Sequence, residues 1–178
     1  MKGNYMADKD MSIHYSSGND HWTTPIELFN ALNALWGFTV DVACEIETAL
    51  CHKFYTPAED GLMQDWSNET WWMNPPYSDL KPWLQKASAS HRYNENSNGL
   101  ILVPSRTDTK AFQDYAVPDC TCMCFIKGRI KFGDPNNTDP NKKQHPAPFP
   151  SVIIVFDNDL TEEKLNYLRS IGRVMKNV

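Results

Sequence analysis

The hydrophobic positions of the chain fall into short stretches, some at helical spacing and some continuous, divided by Pro, Gly and Asn-rich punctuation. Ile26, Leu28, Phe29, Leu32 and Leu35 recur at helical spacing. Thr24-Pro25 supplies a cap and first turn for this run, and Trp36-Gly37 stops it. The pattern predicts a helix whose apolar stripe is core. Residues 38–43 read as a buried strand, with 52–56 and Thr70–Met73 as the next two. Residues 80–91 have helical character after Asp79, and 94–99 form a loop before a strand over 100–104. Beyond it the pattern predicts a helix over 107–115, strands over 122–132 and Ser151–Phe156, and a last helix over 161–170 capped by Thr161. The alternation is α/β. Residues 133–150, broken by Asp-Pro steps and further prolines, predict a long surface loop.

A chain of 178 residues holds one domain with a single core, expected over 20–178 behind a flexible polar segment at 1–19. No window approaches the roughly 18 to 20 apolar residues of a membrane span. The first residues carry no basic start followed by an apolar stretch, so a cytoplasmic location is expected. The five cysteines, an odd number, argue against a disulfide framework. Cys120, Cys122 and Cys124 with His145 suggest a metal site, but the Cys-x-Cys-x-Cys spacing is not that of structural zinc sites. Thiols alternating on a strand would line one buried face instead, and no metal is expected.

The formal charge of −5 argues against a nucleic-acid partner until it is divided along the chain. Residues 101–150 hold seven Lys and Arg against five Asp and no Glu, so one basic face is available.

The candidate chemistry lies in Asn74-Pro75-Pro76-Tyr77, directly after an apolar strand. The lone pair of an aromatic amine is delocalised into its ring, and two hydrogen-bond acceptors would help that nitrogen become tetrahedral as a methyl group arrives. The Asn74 side-chain oxygen and the Pro75 carbonyl can take those two N–H groups, so that geometry rather than a strong base supplies the acceleration. Pro75 and Pro76 fix φ and stiffen the turn, and the Tyr77 ring offers a face for a flipped base. The same tetrapeptide also reads as a plain turn after a strand.

Its surroundings decide between these. His21 to Pro25, Asp41-Val42-Ala43-Cys44, Asp60-Gly61-Leu62, Asp65-Trp66 and Asn74 to Tyr77 occur in that order. Pro104 to Thr109, Lys127 to Phe132 and Pro148-Phe149-Pro150 follow. Together they resemble the phage-type DNA N6-adenine methyltransferases (Dam), over nearly the whole chain.

The resemblance implies a Rossmann-like, S-adenosylmethionine-dependent methyltransferase fold with double-stranded DNA as partner and the ligand at the carboxyl ends of the strands. It further implies that Trp22, Thr23, Thr24 and Pro25 close over the cofactor. Asp41, Ala43 and Cys44 would form the first cofactor loop, and Asp65 with Trp66 would face the cofactor's adenine. Asp65 also reads as a turn residue before Trp66. The loop after Asp41 lacks the glycines common in amino-methyltransferases, so the small Ala43 is expected to permit close approach. With 33 positions between Asp41 and Asn74, the sheet is expected to be mixed and abbreviated.

Arg106, Lys127, Arg129 and Lys131 are candidates for DNA contact, with Arg129 and Lys131 sharing a strand face and Arg106 alternatively ordering the site through an ion pair with Asp108. Methylation of RNA adenine or protein glutamine, or a catalytically silent DNA-binding role, are the alternative functions.

Overall fold

Trp71 and Trp72 are adjacent on one strand, and their side chains enter opposite layers of the molecule because successive strand residues point to opposite faces. In the computed structural model, which describes residues 22–133 and 146–176, both are completely buried. Trp72 meets Phe29 of helix α1 (Ile26–Trp36), with ring centroids 5.6 Å apart. Trp71 meets Trp66 at 5.5 Å, and Trp66 in turn stacks on Trp83 of helix α2 (Leu80–Tyr93). Helices thus cover both faces of a central sheet. The expected segment 1–19, most of the expected loop 133–150, and His145 lie outside the described residues.

The strands are β1 (Val40–Asp41), β2 (Lys53–Phe54), β3 (Thr70–Met73), β4 (Asn98–Pro104), β5 (Cys122–Ile126), β6 (Ser151–Phe156) and β7 (Gly172–Lys176). They form one sheet in the order β2-β1-β3-β4-β6-β5-β7. β2, β1, β3 and β4 are parallel, whereas β6 runs antiparallel to β4 and β5, and β7 antiparallel to β5. This is the mixed α/β sheet expected; among the described residues it has seven strands, and the shortening lies in the connection from β1 to β3. Between β1 and β3 the chain makes only a 3-10 turn (Ile46–Thr48), the short β2 and a series of turns.

Most elements form where the apolar pattern puts them. Phe29, Leu32 and Trp36 are the buried stripe of α1, and Gly37 closes that helix at φ 64, donating its N–H to Asn33. Thr161 caps helix α3 (Glu162–Ile171) through Lys164 N–H at 3.3 Å. Gly99 stands opposite Trp71 in the β3–β4 ladder, where a Cβ would lie 2.1 Å from the indole ring.

Four local expectations need correction. Ile26 is half exposed rather than core, since it starts the helix. The N-terminus of α1 has no side-chain cap, because the Thr24 hydroxyl is engaged elsewhere. The strand expected over 122–132 ends at Ile126, because Gly128 at φ 85 turns the chain. The helix expected over 107–115 is reduced to a short turn with a π-helical segment, Phe112–Ala116. β7 has no alternating apolar signal, because it is a largely exposed edge strand; it follows α3 without a loop.

Cys122 and Cys124 are completely buried, and the Cys124 thiol lies 3.2 Å from the Leu168 carbonyl. They occupy alternate positions of β5 and share a face, as the pattern of a buried strand predicts.

Candidate active site

Because β1, β2 and β3 are parallel, their carboxyl ends lie at one edge of the sheet, and Asp41, Tyr55 and Asn74 stand there together. A cavity of about 710 Å³ opens at this edge. Trp22, Thr23 and Thr24 line it from the segment before α1, Asp41, Ala43 and Cys44 from the end of β1, and Asn74 and Pro76 from the turn after β3. The lining also takes Glu45, Glu47, Asp60 and Gly61, and among the described residues no Lys or Arg. Sequence reading gave these four no role, although Asp60-Gly61 stood among the matched motifs.

Asp41 is nearly completely buried and forms the floor. Its carboxylate accepts from Leu50 N–H at 3.2 Å and Ala43 N–H at 3.4 Å, which folds the first loop around it. Burial pushes its pKa up to about 6, with those backbone bonds opposing the shift. Burial, followed by the Asp41 charge, also pushes the Cys44 thiol up; Cys51, subject to the same two causes, rises to about 12. Both therefore stay protonated and are poor nucleophiles.

The Asn74 carboxamide is held from two sides. Its nitrogen donates to the Trp22 carbonyl and to the Thr24 hydroxyl oxygen, 3.0 Å away. Its oxygen accepts from the Tyr77 hydroxyl at 2.7 Å. The amide orientation follows from chemistry, since a carbonyl such as that of Trp22 only accepts. A carboxamide oxygen has two lone pairs, so the Tyr77 bond leaves one acceptor site.

Tyr77 itself is 4% exposed. Its ring meets Phe149 at 5.5 Å and Phe132 at 6.3 Å, both edge-on, and Trp22 meets the same two phenylalanines at 5.1 and 5.5 Å. The expected stacking face is thus turned into an aromatic cluster. Burial raises the Tyr77 pKa well above the ordinary phenol value, so the hydroxyl remains a donor to Asn74. Sequence reading gave Phe132 and Phe149 no individual role.

Other expected residues lie elsewhere. Asp65 is exposed and accepts from Ser67 N–H at 2.8 Å, the turn arrangement rather than a place in the lining. Trp66 is buried in the core, donating to the Gly61 carbonyl at 2.9 Å, and reaches the cavity only through that residue. Pro25 precedes α1 beside the lining. Arg106 donates to the Tyr77 carbonyl at 3.2 Å, so its contact is with the turn. Lys127, Arg129 and Lys131 are exposed; Arg129 and Lys131 flank the buried Ile130, so they still alternate outward although the strand has ended.

A mixed sheet with helices on both faces, a ligand-sized cavity at its parallel carboxyl edge and an Asn-Pro-Pro-Tyr turn beside that cavity defines a Rossmann-like methyltransferase fold. The family model for DNA N-6-adenine-methyltransferase (Dam) matches residues 12–176, and the chain belongs to that family. It is 29% identical over 147 residues to a DNA N-6-adenine-methyltransferase of Haemophilus phage HP1, covering 79% of this chain and 80% of the relative. To the DNA N-6-adenine-methyltransferase of Escherichia phage T1 it is 31% identical over 97 residues, 53% of this chain and 40% of that protein. The match thus spans less than half of the T1 relative's length. No described helix is long and apolar enough to cross a membrane.

Proposed function

We propose that the protein transfers a methyl group from S-adenosylmethionine to the N6 amine of an adenine flipped from double-stranded DNA, at a specific site and in the cytoplasm of a host cell. The observation that carries this reading is the Asn74 carboxamide beside the cavity, its nitrogen tied off and one oxygen lone pair left to accept.

The cavity's donor set fits the proposed cofactor. Among the described residues, Asp41, Glu45, Glu47 and Asp60 line it without a Lys or Arg, a field that favours a ligand of net positive charge and disfavours a phosphate. When bound, S-adenosylmethionine supplies an electrophilic methyl group on a cationic sulfonium. Asp41 and the backbone of its loop, with the Trp22 to Thr24 segment opposite, would hold it. Family membership and the relatives' names favour DNA adenine as acceptor.

The Asn74 oxygen and the Pro75 carbonyl would each accept one N–H of the adenine amine, moving its lone pair out of the ring. That lone pair would take the methyl group of S-adenosylmethionine, which leaves as S-adenosylhomocysteine, while the Asn74 oxygen and the Pro75 carbonyl would hold the two amine protons until one passes to water. Tyr77 hydrogen-bonds the same oxygen and keeps the amide plane fixed. Arg129 and Lys131, together with Lys127, would meet the DNA backbone.

The deciding experiment incubates the protein with labelled S-adenosylmethionine and unmodified duplex DNA, RNA or protein, then identifies the labelled product. N6-methyladenine in DNA is expected; label only in RNA adenine or protein glutamine overturns the choice of acceptor, and no label anywhere overturns the enzyme.

A further inference from the structure

The segment before α1 borders the cavity, yet one of its side chains spends its polar atom on the catalytic turn. Thr24 is 5% exposed, and its hydroxyl oxygen accepts from the Asn74 amide nitrogen at 3.0 Å, across 50 positions of sequence. The other Asn74 N–H goes to the carbonyl of Trp22, two residues earlier. A primary amide has two N–H groups, so these two acceptors saturate its nitrogen. The oxygen is then the only part of the carboxamide left to serve a substrate.

The holding segment is itself fixed. Thr23 and Gly133 form an antiparallel bridge, with the Gly133 N–H donating to Thr23 at 2.8 Å and the Thr23 N–H to Gly133 at 3.4 Å. The Trp22 ring is packed edge-on between Phe132 and Phe149. Thr24 cannot drift from Asn74 without disturbing the backbone bridge one residue before it.

Rotating the Asn74 amide by half a turn would set its oxygen against the Trp22 carbonyl, two acceptors face to face, and its nitrogen toward the Tyr77 hydroxyl. The Trp22 carbonyl, which can only accept, disfavours that state, which would present donors where the reaction needs an acceptor; the Thr24 hydroxyl adds the second bond that holds the amide in the allowed orientation.

We propose that Thr24 is a positioning residue for methyl transfer, acting through Asn74 rather than on the cofactor. This rests on the methyltransferase reading above, and it separates Thr24 from the cofactor role that the resemblance implies. Without the hydroxyl, one Asn74 N–H loses its partner and the amide oxygen is free to wander by a fraction of an ångström. Misplacement on that scale slows a reaction that depends on alignment by about 10- to 100-fold.

The test compares Thr24→Val, which keeps the side-chain volume, with Thr24→Ser, which keeps the hydroxyl. Expected is a fall in kcat of about 10- to 100-fold for the valine variant with unchanged KM for DNA, near wild-type kcat for serine, and an unchanged Kd for S-adenosylhomocysteine in both. In NMR spectra one Asn74 side-chain amide proton, protected from exchange in the wild type and in Thr24→Ser, should exchange faster in Thr24→Val. Should the valine variant not fold, Thr24→Ala takes its place in the same comparison. A raised Kd at unchanged kcat would make Thr24 a cofactor contact and overturn the proposal, as would full activity in the valine variant. Wild-type protein that methylates nothing overturns the enzymatic reading alone, because the exchange measurement still decides whether Thr24 holds the amide.

Discussion

A Cβ on Gly61 would lie 2.1 Å from the carbonyl oxygen of Val42, so the turn after β2 rests directly on the backbone at the end of β1. The first loop of the site carries no glycine, and the closest approach at this point is provided by a glycine from another segment. Gly61 also borders the cavity and accepts from the Trp66 indole, so its position ties the core to the lining.

Gly61→Ala should therefore be costly although the residue has no unusual φ. The obstructing atom is backbone and cannot swing aside, and overpacking of this kind costs about 1 to 3 kcal/mol. Urea unfolding should show that loss, with a raised Kd for S-adenosylhomocysteine by calorimetry. Wild-type stability together with wild-type affinity would show that the loop yields freely.

Asn74 should tolerate neither removal nor ionisation. Asn74→Ala is expected to cut methyl transfer by more than about 100-fold while cofactor binding survives. Asn74→Asp replaces the amide nitrogen with an oxygen facing the Trp22 carbonyl, so it should lose thermal stability as well as rate. Loss of cofactor binding in the alanine variant would mean that Asn74 holds the cavity rather than the substrate.

The raised Asp41 pKa fixes the sign of a pH effect. Its folded-state value of about 6 lies above the ordinary 3.8, so the native state keeps a proton that the unfolded chain has released. The associated stability is complete below about pH 3.8 and is lost as pH rises through about 6. At about 1.4 kcal/mol per tenfold change, the loss is about 3 kcal/mol. Asp41→Asn should remove this dependence, so its stability relative to wild type should rise between pH 4 and pH 7 in paired urea titrations. A constant difference would place the Asp41 pKa near its ordinary value. A cationic ligand favours the ionised carboxylate, so cofactor affinity should strengthen over the same window.

Arg106 and Arg129 should separate by salt dependence. Arg106 holds the Tyr77 carbonyl, so Arg106→Ala should lower kcat and leave the salt slope of DNA binding unchanged. Charge reversal at the exposed Arg129 should reduce that slope by about one and weaken binding to all sequences alike. An unchanged slope removes Arg129 from the interface; a changed slope for Arg106→Ala puts its guanidinium on DNA.

The sequence by itself determined the α/β alternation, the elements with strong periodicity and the Asn74 to Tyr77 turn at the end of a strand. Phe29 and Leu32 of the expected stripe, the continuous apolar runs of β3 and β6, and the Thr161 cap are local signals that the fold did not override. Local signal fails where a neighbour supplies the reason. Gly172 must lie against the Phe125 carbonyl, where a Cβ would come within 2.3 Å, and the edge strand β7 it begins has a partner only through long-range pairing with β5. Thr24 reads locally as a helix cap, whereas it holds Asn74. Asp65 reads locally as a turn residue and makes that turn, although the resemblance implies a place facing the cofactor. Only the tertiary structure decided that Asn74, Thr24 and Tyr77 form one hydrogen-bonded unit and that Gly61 closes the cavity. These contacts join segments whose spacing in sequence carries no period, and packing of the sheet edge brings them together.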